Sequence, residues 1–185
     1  MRVIAGKARR ILLKTPKNLR TRPTSDRTKE TLFNVLQPIL YGSTFLDLCS
    51  GSGGIGIEAL SRGAIKCVFV ENDREAVRCI RENLQKTRLE DEAQVIARDV
   101  LTALRQLEGQ MTFDCIFIDP PYEKGIEKEV LSYLKNSTLL AVSGWVVIEA
   151  SNDTEFDYLE ELEYSLIKEK RYKTNRHLFI ERKGE

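Results

Sequence analysis

Residues 45–56 read FLDLCSGSGGIG, an apolar segment that runs directly into a turn rich in glycine. The apolar segment has the length and composition of a buried strand, and a helix is predicted from about residue 55 to 62. Glycine in such a turn permits positive φ and lets backbone N–H groups approach a ligand closely. The stretch therefore predicts the strand, loop and helix that open a nucleotide-binding α/β fold.

The glycine spacing in this loop leaves two classes of ligand open. Gly51, Gly53 and Gly56 match G-x-G-x-x-G. Glu71 lies 20 residues after Gly51, at the end of the next predicted strand, which is also the fingerprint of dinucleotide-binding proteins. Asp47 favours a different ligand, because a carboxylate at the strand end would repel a pyrophosphate and attract the ammonium and sulfonium groups of S-adenosylmethionine. Glu71 would then accept hydrogen bonds from both ribose hydroxyls.

Outward from this loop, apolar segments alternate with amphipathic ones. Strands are predicted near 44–48, 66–71, 93–97, 113–118 and 144–150, and helices over 55–62, 73–87, 99–107 and about 125–135. Thr24 or Ser25 is predicted to cap an earlier helix that runs through about Leu36. The final segments, 161–168 and 176–182, have no helix between them and are expected to pair antiparallel. The pattern predicts an α/β fold with a doubly wound, mostly parallel sheet.

The tetrapeptide Asp119-Pro120-Pro121-Tyr122 follows an apolar run, residues 113–118, that is predicted to be a buried strand. It therefore lies at the carboxyl end of a parallel strand, where open α/β sheets bind their ligands. The Asp119 carboxylate and the Pro120 carbonyl could each accept one hydrogen of a planar amine, and neither proline has an N–H to compete. Tyr122 offers a ring face on which a base could stack. These four residues are the candidate catalytic centre, and the alternative is an ordinary proline-rich turn.

The net charge is only +1, but basic and acidic residues are distributed unevenly along the chain. Residues 1–25 hold eight basic and no acidic side chains, a composition typical of a nucleic-acid-binding segment and also of a solvated tail. Apolar residues alternate with the basic ones, which predicts a short hairpin around Gly6. The candidate nucleic-acid contacts, which become RNA contacts under the resemblance described below, come from this segment, its continuation and a second basic group over 168–176. They are Arg2, Lys7, Arg9, Arg10, Arg20, Arg22, Arg27, Arg171 and Lys173.

Length and composition set outer limits on the function. With 185 residues, 42% hydrophobic and 31% charged, the chain is expected to be globular with a substantial core. It has neither a long apolar run nor an apolar signal core, so we expect a cytoplasmic protein without a membrane span. The four cysteines lack C-x-x-C spacing and are expected to be free thiols. His177 is the only histidine, so we expect neither a Ser-His-Asp hydrolase nor a bound metal.

Several motifs together resemble one enzyme family. They are MRVIAG at 1–6, RPTSDRTKETLFN at 22–34, the glycine loop, VEND at 70–73, Asp99, the tetrapeptide at 119–122 and KRYKT at 170–174. With them the chain resembles the class I S-adenosylmethionine-dependent methyltransferases, and more narrowly the RsmD-type 16S ribosomal RNA guanine-N2 methyltransferases. The resemblance runs nearly end to end. It implies a Rossmann-like, seven-stranded sheet with an antiparallel last strand, S-adenosyl-L-methionine as cofactor, and 16S rRNA as substrate, either naked or within an assembling small subunit.

The resemblance places the methyl donor across the carboxyl ends of the first sheet strands. Its candidate contacts are Thr24, Asp47, Cys49, Ser50, Gly51, Ser52, Gly53, Glu71, Asn72, Asp99 and Val100. Asp99 would bind the adenine amine, and its alternative role is a helix N-cap; the two are compatible, since a cap uses one carboxylate oxygen. Thr24 could close over the methionine end of the donor, and Arg22 and Arg27 could touch RNA phosphate. The alternative for this segment is an ordinary helix start.

The predicted organisation is a basic RNA-binding extension over residues 1–22 followed by a methyltransferase domain over residues 23–185. The predicted activity is methylation of the N2 amine of a guanine, where guanine and the small subunit are implied by the resemblance alone. The alternatives are another planar amine, in DNA adenine or protein glutamine, a nucleotide-binding oxidoreductase, and a non-catalytic RNA-binding module. The residues predict no oligomeric state.

Overall fold

The elements of the chain follow the predicted alternation of strand and helix. They are α1 (Asp26–Leu40), β1 (Thr44–Leu48), α2 (Gly54–Ser61), β2 (Lys66–Val70), α3 (Arg74–Thr87), β3 (Ala93–Ile96), α4 (Val100–Leu107), β4 (Phe113–Ile118), α5 (Ile126–Leu134), β5 (Leu140–Ser151), β6 (Tyr164–Arg171) and β7 (Asn175–Arg182). The computed structural model describes residues 1–16, 25–121 and 125–184. The candidate residues Arg20, Arg22, Thr24 and Tyr122 lie outside the described residues.

Two elements are longer than the sequence indicated. Helix α1 has Ser25 as its N-cap, whose hydroxyl accepts a hydrogen bond from the Thr28 N–H at 3.1 Å, and it continues through Pro38 to Leu40. Strand β5 begins at Leu140 instead of residue 144, and a register shift follows its first pairing with β4. In the sequence, Ser143 and Gly144 interrupt the apolar run there, which concealed the start of the strand.

Seven strands of the described chain form one sheet in the order β3-β2-β1-β4-β5-β7-β6. Strands β1 to β5 pair in parallel, and β7 is inserted antiparallel between β5 and β6. The predicted doubly wound sheet with an antiparallel last strand is confirmed. The strand order reverses between β1 and β4, so the carboxyl ends of these two strands flank the crevice in which such sheets bind ligands.

Helices cover both faces of the sheet. On one face, called the α2 face below, strand side chains such as Phe117 and Val147 pack against α1, α2 and α3. On the other face, strand side chains such as Ile116 and Ile148 pack against α4 and α5. Successive residues of a strand point to opposite faces, which is why neighbours in sequence belong to different layers. No helix in the described ranges is long and apolar enough to cross a membrane.

Residues 1–14, called the arm below, form the predicted hairpin and lie on α2. Arg2 and Leu12 make an antiparallel bridge across it. Gly6 has φ of +80°, and a Cβ added there would lie 1.7 Å from the Ser61 carbonyl oxygen, so only glycine allows this approach to α2. The buried apolar side chains of the arm are Val3, Ala8 and Leu13. The arm is therefore packed against the α/β core.

A buried carboxylate on α2, Glu58, ties the arm to the helices. Its oxygens accept hydrogen bonds from the Ile4 N–H at 2.8 Å, the Ala5 N–H at 3.0 Å and the Arg62 side chain at 2.8 Å. The Lys29 ammonium lies 3.3 Å away, and neither of these two charged side chains is exposed. Burial lowers the pKa of Lys29, and the neighbouring Glu58 opposes that change.

Glu58→Gln is expected to lower the free energy of unfolding by about 3–5 kcal/mol, because it leaves the Lys29 charge buried without its partner. Urea unfolding followed by circular dichroism measures this change. Glu82→Gln is the matched control, since Glu82 pairs with Lys14 at the surface, and it is expected to leave the unfolding curve unchanged. A Glu58→Gln protein as stable as the wild type would show that other contacts hold the arm.

Candidate active site

A cavity of about 470 Å³ opens at the carboxyl ends of β1, β2 and β4, in the predicted crevice. The predicted site residues that line it are Cys49, Ser50, Gly51, Ser52, Glu71, Asn72, Asp99, Val100, Asp119 and Pro121. Asp47, Gly53 and Pro120 belong to the described residues but are not part of its lining. The structure therefore brings residues predicted for the donor and residues predicted for the acceptor to one cavity.

The glycine-rich loop lines one wall of this cavity and is tied to two strands. Its backbone has φ of +54° at Gly51 and +77° at Gly53, values that favour glycine. The Ser50 hydroxyl donates to the Asp47 carbonyl at 2.6 Å and accepts from the Val70 N–H at 3.0 Å. These bonds fix the start of the loop to the ends of β1 and β2, so the loop shape does not depend on a ligand.

Glu71 is oriented by the backbone around it. Its carboxylate accepts hydrogen bonds from the N–H groups of Gly51 and Asn72 at 2.8 Å and of Asp73 at 2.9 Å. A carboxylate offers about four acceptor positions, so at least one stays available for a hydroxyl of a bound ribose. The side chain is held in place before any ligand arrives, which reduces the cost of ordering it on binding.

Asp47 lies behind the loop, with only 1% of its surface exposed. Its carboxylate accepts a hydrogen bond from the Gly56 N–H at 2.9 Å, at the start of α2. Burial raises the pKa of Asp47 to about 7; the Gly56 hydrogen bond opposes this change and the Glu71 charge adds to it. The attraction of the cationic end of a donor by Asp47 stays a prediction. In that role the carboxylate would act from behind the loop, without direct contact with the cavity.

Asp99 is the N-cap of α4 and also lines the cavity. Its carboxylate accepts a hydrogen bond from the Thr102 N–H at 3.0 Å, and this bond lowers the pKa of Asp99. The cap, which the sequence left as one of two roles, is confirmed. Because a cap uses one carboxylate oxygen, the predicted contact with an adenine amine is compatible with it.

Asp119 follows the last residue of β4 and lies beside the end of β1, where its N–H is 3.4 Å from the Leu48 carbonyl oxygen. Burial raises the pKa of Asp119 well above its usual value, and the charges of Glu149 and Asp47 raise it further. Pro120 is buried, whereas Pro121 lines the cavity. A ligand in this cavity would meet a carboxyl group that holds its proton more tightly than an ordinary aspartic acid.

The cavity also has lining residues that the sequence reasoning missed. They are Met1, Thr15, Gly54, Ile55, Val70, Arg98, Leu101, Ile126 and Glu129. Met1 contributes because the arm folds over α2; a Cβ added at Gly54 would lie 2.4 Å from the Met1 sulfur. No spacing rule connects these two residues, since the contact arises from tertiary packing. Arg98 and Ile126 lie next to predicted site segments, so a wider window around those segments would have included them.

The predicted RNA contacts form two groups, those that make a salt bridge within the protein and those that do not. Arg2, Lys7 and Arg171 each form a salt bridge, with Asp26, Glu92 and Glu169 respectively. Four of the predicted RNA contacts are exposed and form no salt bridge with another described residue. They are Arg9, Arg10, Arg27 and Lys173. Cations without an ion pair can approach phosphate without first losing a partner, so these are the stronger candidates among the described residues.

Comparisons with known proteins find similar sequences and similar structures. Residues 1–181 match a family described as conserved hypothetical protein 95. The chain is 37% identical over 171 residues to ribosomal RNA small subunit methyltransferase D of Haemophilus influenzae, over 92% of this chain and 88% of that protein. It is 34% identical over 150 residues to the Escherichia coli protein of the same name, over 81% of this chain and 74% of that protein. A solved structure of a Thermus thermophilus hypothetical protein is similar with a TM-score of 0.83 and 32% identity, over 98% of this chain and 99% of that one.

Proposed function

The chain belongs to the RsmD family of class I ribosomal RNA methyltransferases, and we propose that it transfers a methyl group from S-adenosyl-L-methionine to the exocyclic N2 amine of a guanine in 16S rRNA. The observation that carries the proposal is the shared cavity, which Asp119 lines together with the glycine loop and Glu71. The names of the relatives support methylation of small-subunit rRNA. The proposal narrows this activity to the guanine N2 amine.

The chemistry of the cavity lining fits an S-adenosylmethionine donor. Glu71 keeps an acceptor position for a ribose hydroxyl, and Asp99 keeps an oxygen for the adenine amine. The backbone around Gly51 can pass closely under the amino-acid end, because its φ is positive and it carries no side chain. Asp47 places a carboxyl group behind the same loop. When bound, the donor supplies an electrophilic methyl group on a cationic sulfur.

The acceptor amine needs orientation more than prior deprotonation. Its lone pair is delocalised into the ring, so it is a weak nucleophile until hydrogen bonds localise that pair. We assign the Asp119 carboxylate and the Pro120 carbonyl as the acceptors of its two hydrogens. The remaining rate gain comes from alignment of the reacting atoms in a site without bulk water. After transfer, the methylated amine carries a positive charge and readily gives a proton to Asp119.

A base can reach Asp119 only after it leaves its stack, so the enzyme is expected to act on a loop or to flip its target nucleotide. Tyr122, which lies outside the described residues, is proposed to stack on the extruded base. The arm and the basic tail would hold the surrounding RNA backbone. The second candidate activity is methylation of another planar amine, in DNA adenine or protein glutamine, since Asp119 and its prolines suit any such group.

Transfer of tritium from labelled donor separates these activities. Purified protein is incubated with small-subunit rRNA, small ribosomal subunits, DNA and a protein extract in parallel. Label is expected in 16S rRNA and in no other polymer, and digestion of that rRNA is expected to release N2-methylguanosine. Label in DNA or in protein would replace the proposed function by the second candidate.

Glu71→Ala is expected to weaken donor binding by about 1–3 kcal/mol, because charge-assisted hydrogen bonds to the ribose are removed. Isothermal titration calorimetry measures the change, and a thermal melt confirms that the variant is folded. Glu71→Gln keeps one acceptor oxygen and is expected to lose less affinity than Glu71→Ala. Unchanged donor affinity in a folded Glu71→Ala protein would remove Glu71 from the site.

Joint replacement of Arg9 and Arg10 by alanine is expected to weaken RNA binding while donor affinity stays unchanged. For every phosphate that the variant no longer neutralises, the slope of log K against log salt should become shallower by about 0.7–0.9. Fluorescence anisotropy over a series of salt concentrations measures that slope. Arg105→Ala, an exposed cation on α4 at the opposite face of the sheet, is the matched control. An unaltered slope in the double variant would assign the arm to folding alone.

A further inference from the structure

A buried carboxyl group, Glu149, lies beside Asp119 near the carboxyl ends of β4 and β5. Ile118 of β4 pairs in parallel with Ile148 of β5, so Asp119 and Glu149 are the next residues on two neighbouring strands. Ile118 and Ile148 belong to the layer opposite the α2 face, so strand alternation turns both carboxyl groups toward the α2 face. Glu149 has no part in the methyl transfer described above.

Two side chains from the inserted strand β7 hold Glu149 in place. Only 7% of Glu149 is exposed, and its carboxylate accepts a 2.5 Å hydrogen bond from the Asn175 amide. His177 is directly opposite in the antiparallel register, and its Nε2 lies 3.0 Å from the other Glu149 oxygen. His177 is fully buried, and its Nδ1 lies 3.3 Å from the Tyr172 hydroxyl. Glu149 is therefore a buried, hydrogen-bonded group in a fixed position, not a surface charge.

We propose that Glu149, held by Asn175 and His177, is a positioning residue that sets how tightly Asp119 holds a proton, and so fits Asp119 to receive the proton of the methylated amine. The inference rests on the proposed function for its chemical use, but the effect on Asp119 is a property of the protein alone. An isolated aspartate holds a proton only weakly at neutral pH. A second carboxylate at close range makes it hold the proton more tightly, because two like charges resist being ionised together.

The charges around the pair fit this assignment. Burial raises the pKa of Asp119, and the Glu149 charge is the largest further contribution, ahead of Asp47. On β7, Arg176 is the neighbour of His177, which pairs with Glu149, and its guanidinium forms a salt bridge with Glu169 at 2.7 Å. Arg98, Glu71, Glu129 and Cys49 share the cavity with Asp119. Asn175 and His177 contact both oxygens of Glu149, so this carboxyl group stays in a fixed position on the strand beside Asp119.

The proton balance is simple in this scheme. The nitrogen of the methylated amine loses one N–H bond, the electron pair of that bond stays on nitrogen, and an O–H bond forms on Asp119. Glu149 exchanges no proton in this step. Its charge only raises the affinity of Asp119 for the proton, and solvent removes that proton after the product leaves.

Nuclear magnetic resonance of the side-chain carboxyl carbons tests the inference without any substrate. The Asp119 signal is identified by its loss in Asp119→Asn, and its titration midpoint is followed in each variant. In Glu149→Gln the midpoint is expected to fall by about one pH unit or more. Glu181→Gln is the matched control, because it removes the same charge from the opposite end of β7 and should leave the midpoint unchanged. The side-chain amide of the glutamine in Glu149→Gln can both donate and accept hydrogen bonds, so it can keep a partner at His177.

A second variant keeps the test valid if the first does not fold. Glu149→Met also removes the charge, fills a similar volume and needs no hydrogen-bond partner, and it should lower the Asp119 midpoint in the same way. The acidic limb of the pH dependence of kcat/KM should move to lower pH by the same amount in either variant. A folded variant with an unshifted Asp119 midpoint would overturn the inference. If no RNA is methylated but the midpoint falls, the proposed function fails and the inference about Asp119 stands.

Discussion

Asp119→Ala is expected to lower the rate of methyl transfer to 16S rRNA by about 10³-fold or more, whereas donor affinity stays unchanged. The two effects differ because Asp119 and the residues assigned to the donor follow different strands. Asp119 follows β4 and is assigned here to the acceptor, whereas Glu71 and Asp99, which are assigned to the donor, follow β2 and β3. Removing it takes away both the acceptor of an amine hydrogen and the group that receives the proton. Single-turnover transfer of labelled methyl measures the rate, and calorimetry measures donor binding.

Asp119→Asn separates those two contributions. Its amide oxygen still accepts a hydrogen bond, but the side chain carries no charge and cannot readily take a proton. If orientation dominates, the rate should fall by only about 10²-fold, the lower end of the range for lost general-base help. Near-normal transfer in Asp119→Ala would show that the tetrapeptide at 119–122 is not the catalytic centre. Loss of donor binding in either variant would move Asp119 to the donor side of the cavity.

Asp47→Asn is expected to weaken donor binding by about 1.5–3 kcal/mol, which is tenfold or more in affinity. The amide oxygen can still accept the hydrogen bond of the Gly56 N–H, so the loop and the start of α2 keep their geometry. What disappears is the negative charge that we assign to the cationic end of the donor. Calorimetry above pH 8, where the wild-type carboxyl group is ionised, measures the difference.

The free energy of unfolding of Asp47→Asn is also expected to depend on pH differently from that of the wild type. The pKa of Asp47 is raised to about 7 in the folded protein, so folding takes up a proton, and the free energy of unfolding falls as pH rises from about 4 to about 7. The fall due to this group is about 4 kcal/mol, and Asp47→Asn should lack it. Urea unfolding at a series of pH values gives the difference between the two proteins, in which the effects of other groups cancel.

Asp91→Asn, an exposed aspartate before β3, is the matched control and should alter neither donor binding nor the pH dependence of stability. Wild-type donor affinity in Asp47→Asn would leave Asp47 with a structural role only, as the acceptor for Gly56. A stability difference that does not vary with pH would mean that Asp47 stays ionised while buried, against the desolvation argument.

The sequence predicted the parts of the site that depend on local pattern. The apolar run before the loop at 49–53 and the alternation of strands and helices specified a parallel sheet, and parallel strands place their carboxyl ends at one edge. For this reason Glu71, Asp99 and Asp119, which are far apart in the chain, could be assigned to one cavity. The cap role of Asp99 was predicted for the same kind of reason, since an aspartate before an amphipathic run is a common N-cap.

The parts that were missed depend on tertiary packing. Met1 reaches the cavity only because Gly6 lets the arm approach α2, and no periodicity links these segments. The early start of β5 was hidden because a bulge breaks the alternation there. The pairing of Glu149 with His177 depends on the exact register of β7 against β5, which the expected antiparallel last strand did not specify. From the sequence, His177 was used only to argue against a hydrolase or a metal site, and no contact with Glu149 was predicted.

The proposed activity is tested in the cell by mass spectrometry of nucleosides from 16S rRNA of a strain that lacks this protein. We predict that the strain loses one N2-methylguanosine, that the wild-type gene restores it, and that the gene carrying Asp119→Ala, expressed at the same level, does not. A full complement of N2-methylguanosine in the deleted strain, or its restoration by Asp119→Ala, would contradict the proposed function and the assignment of Asp119.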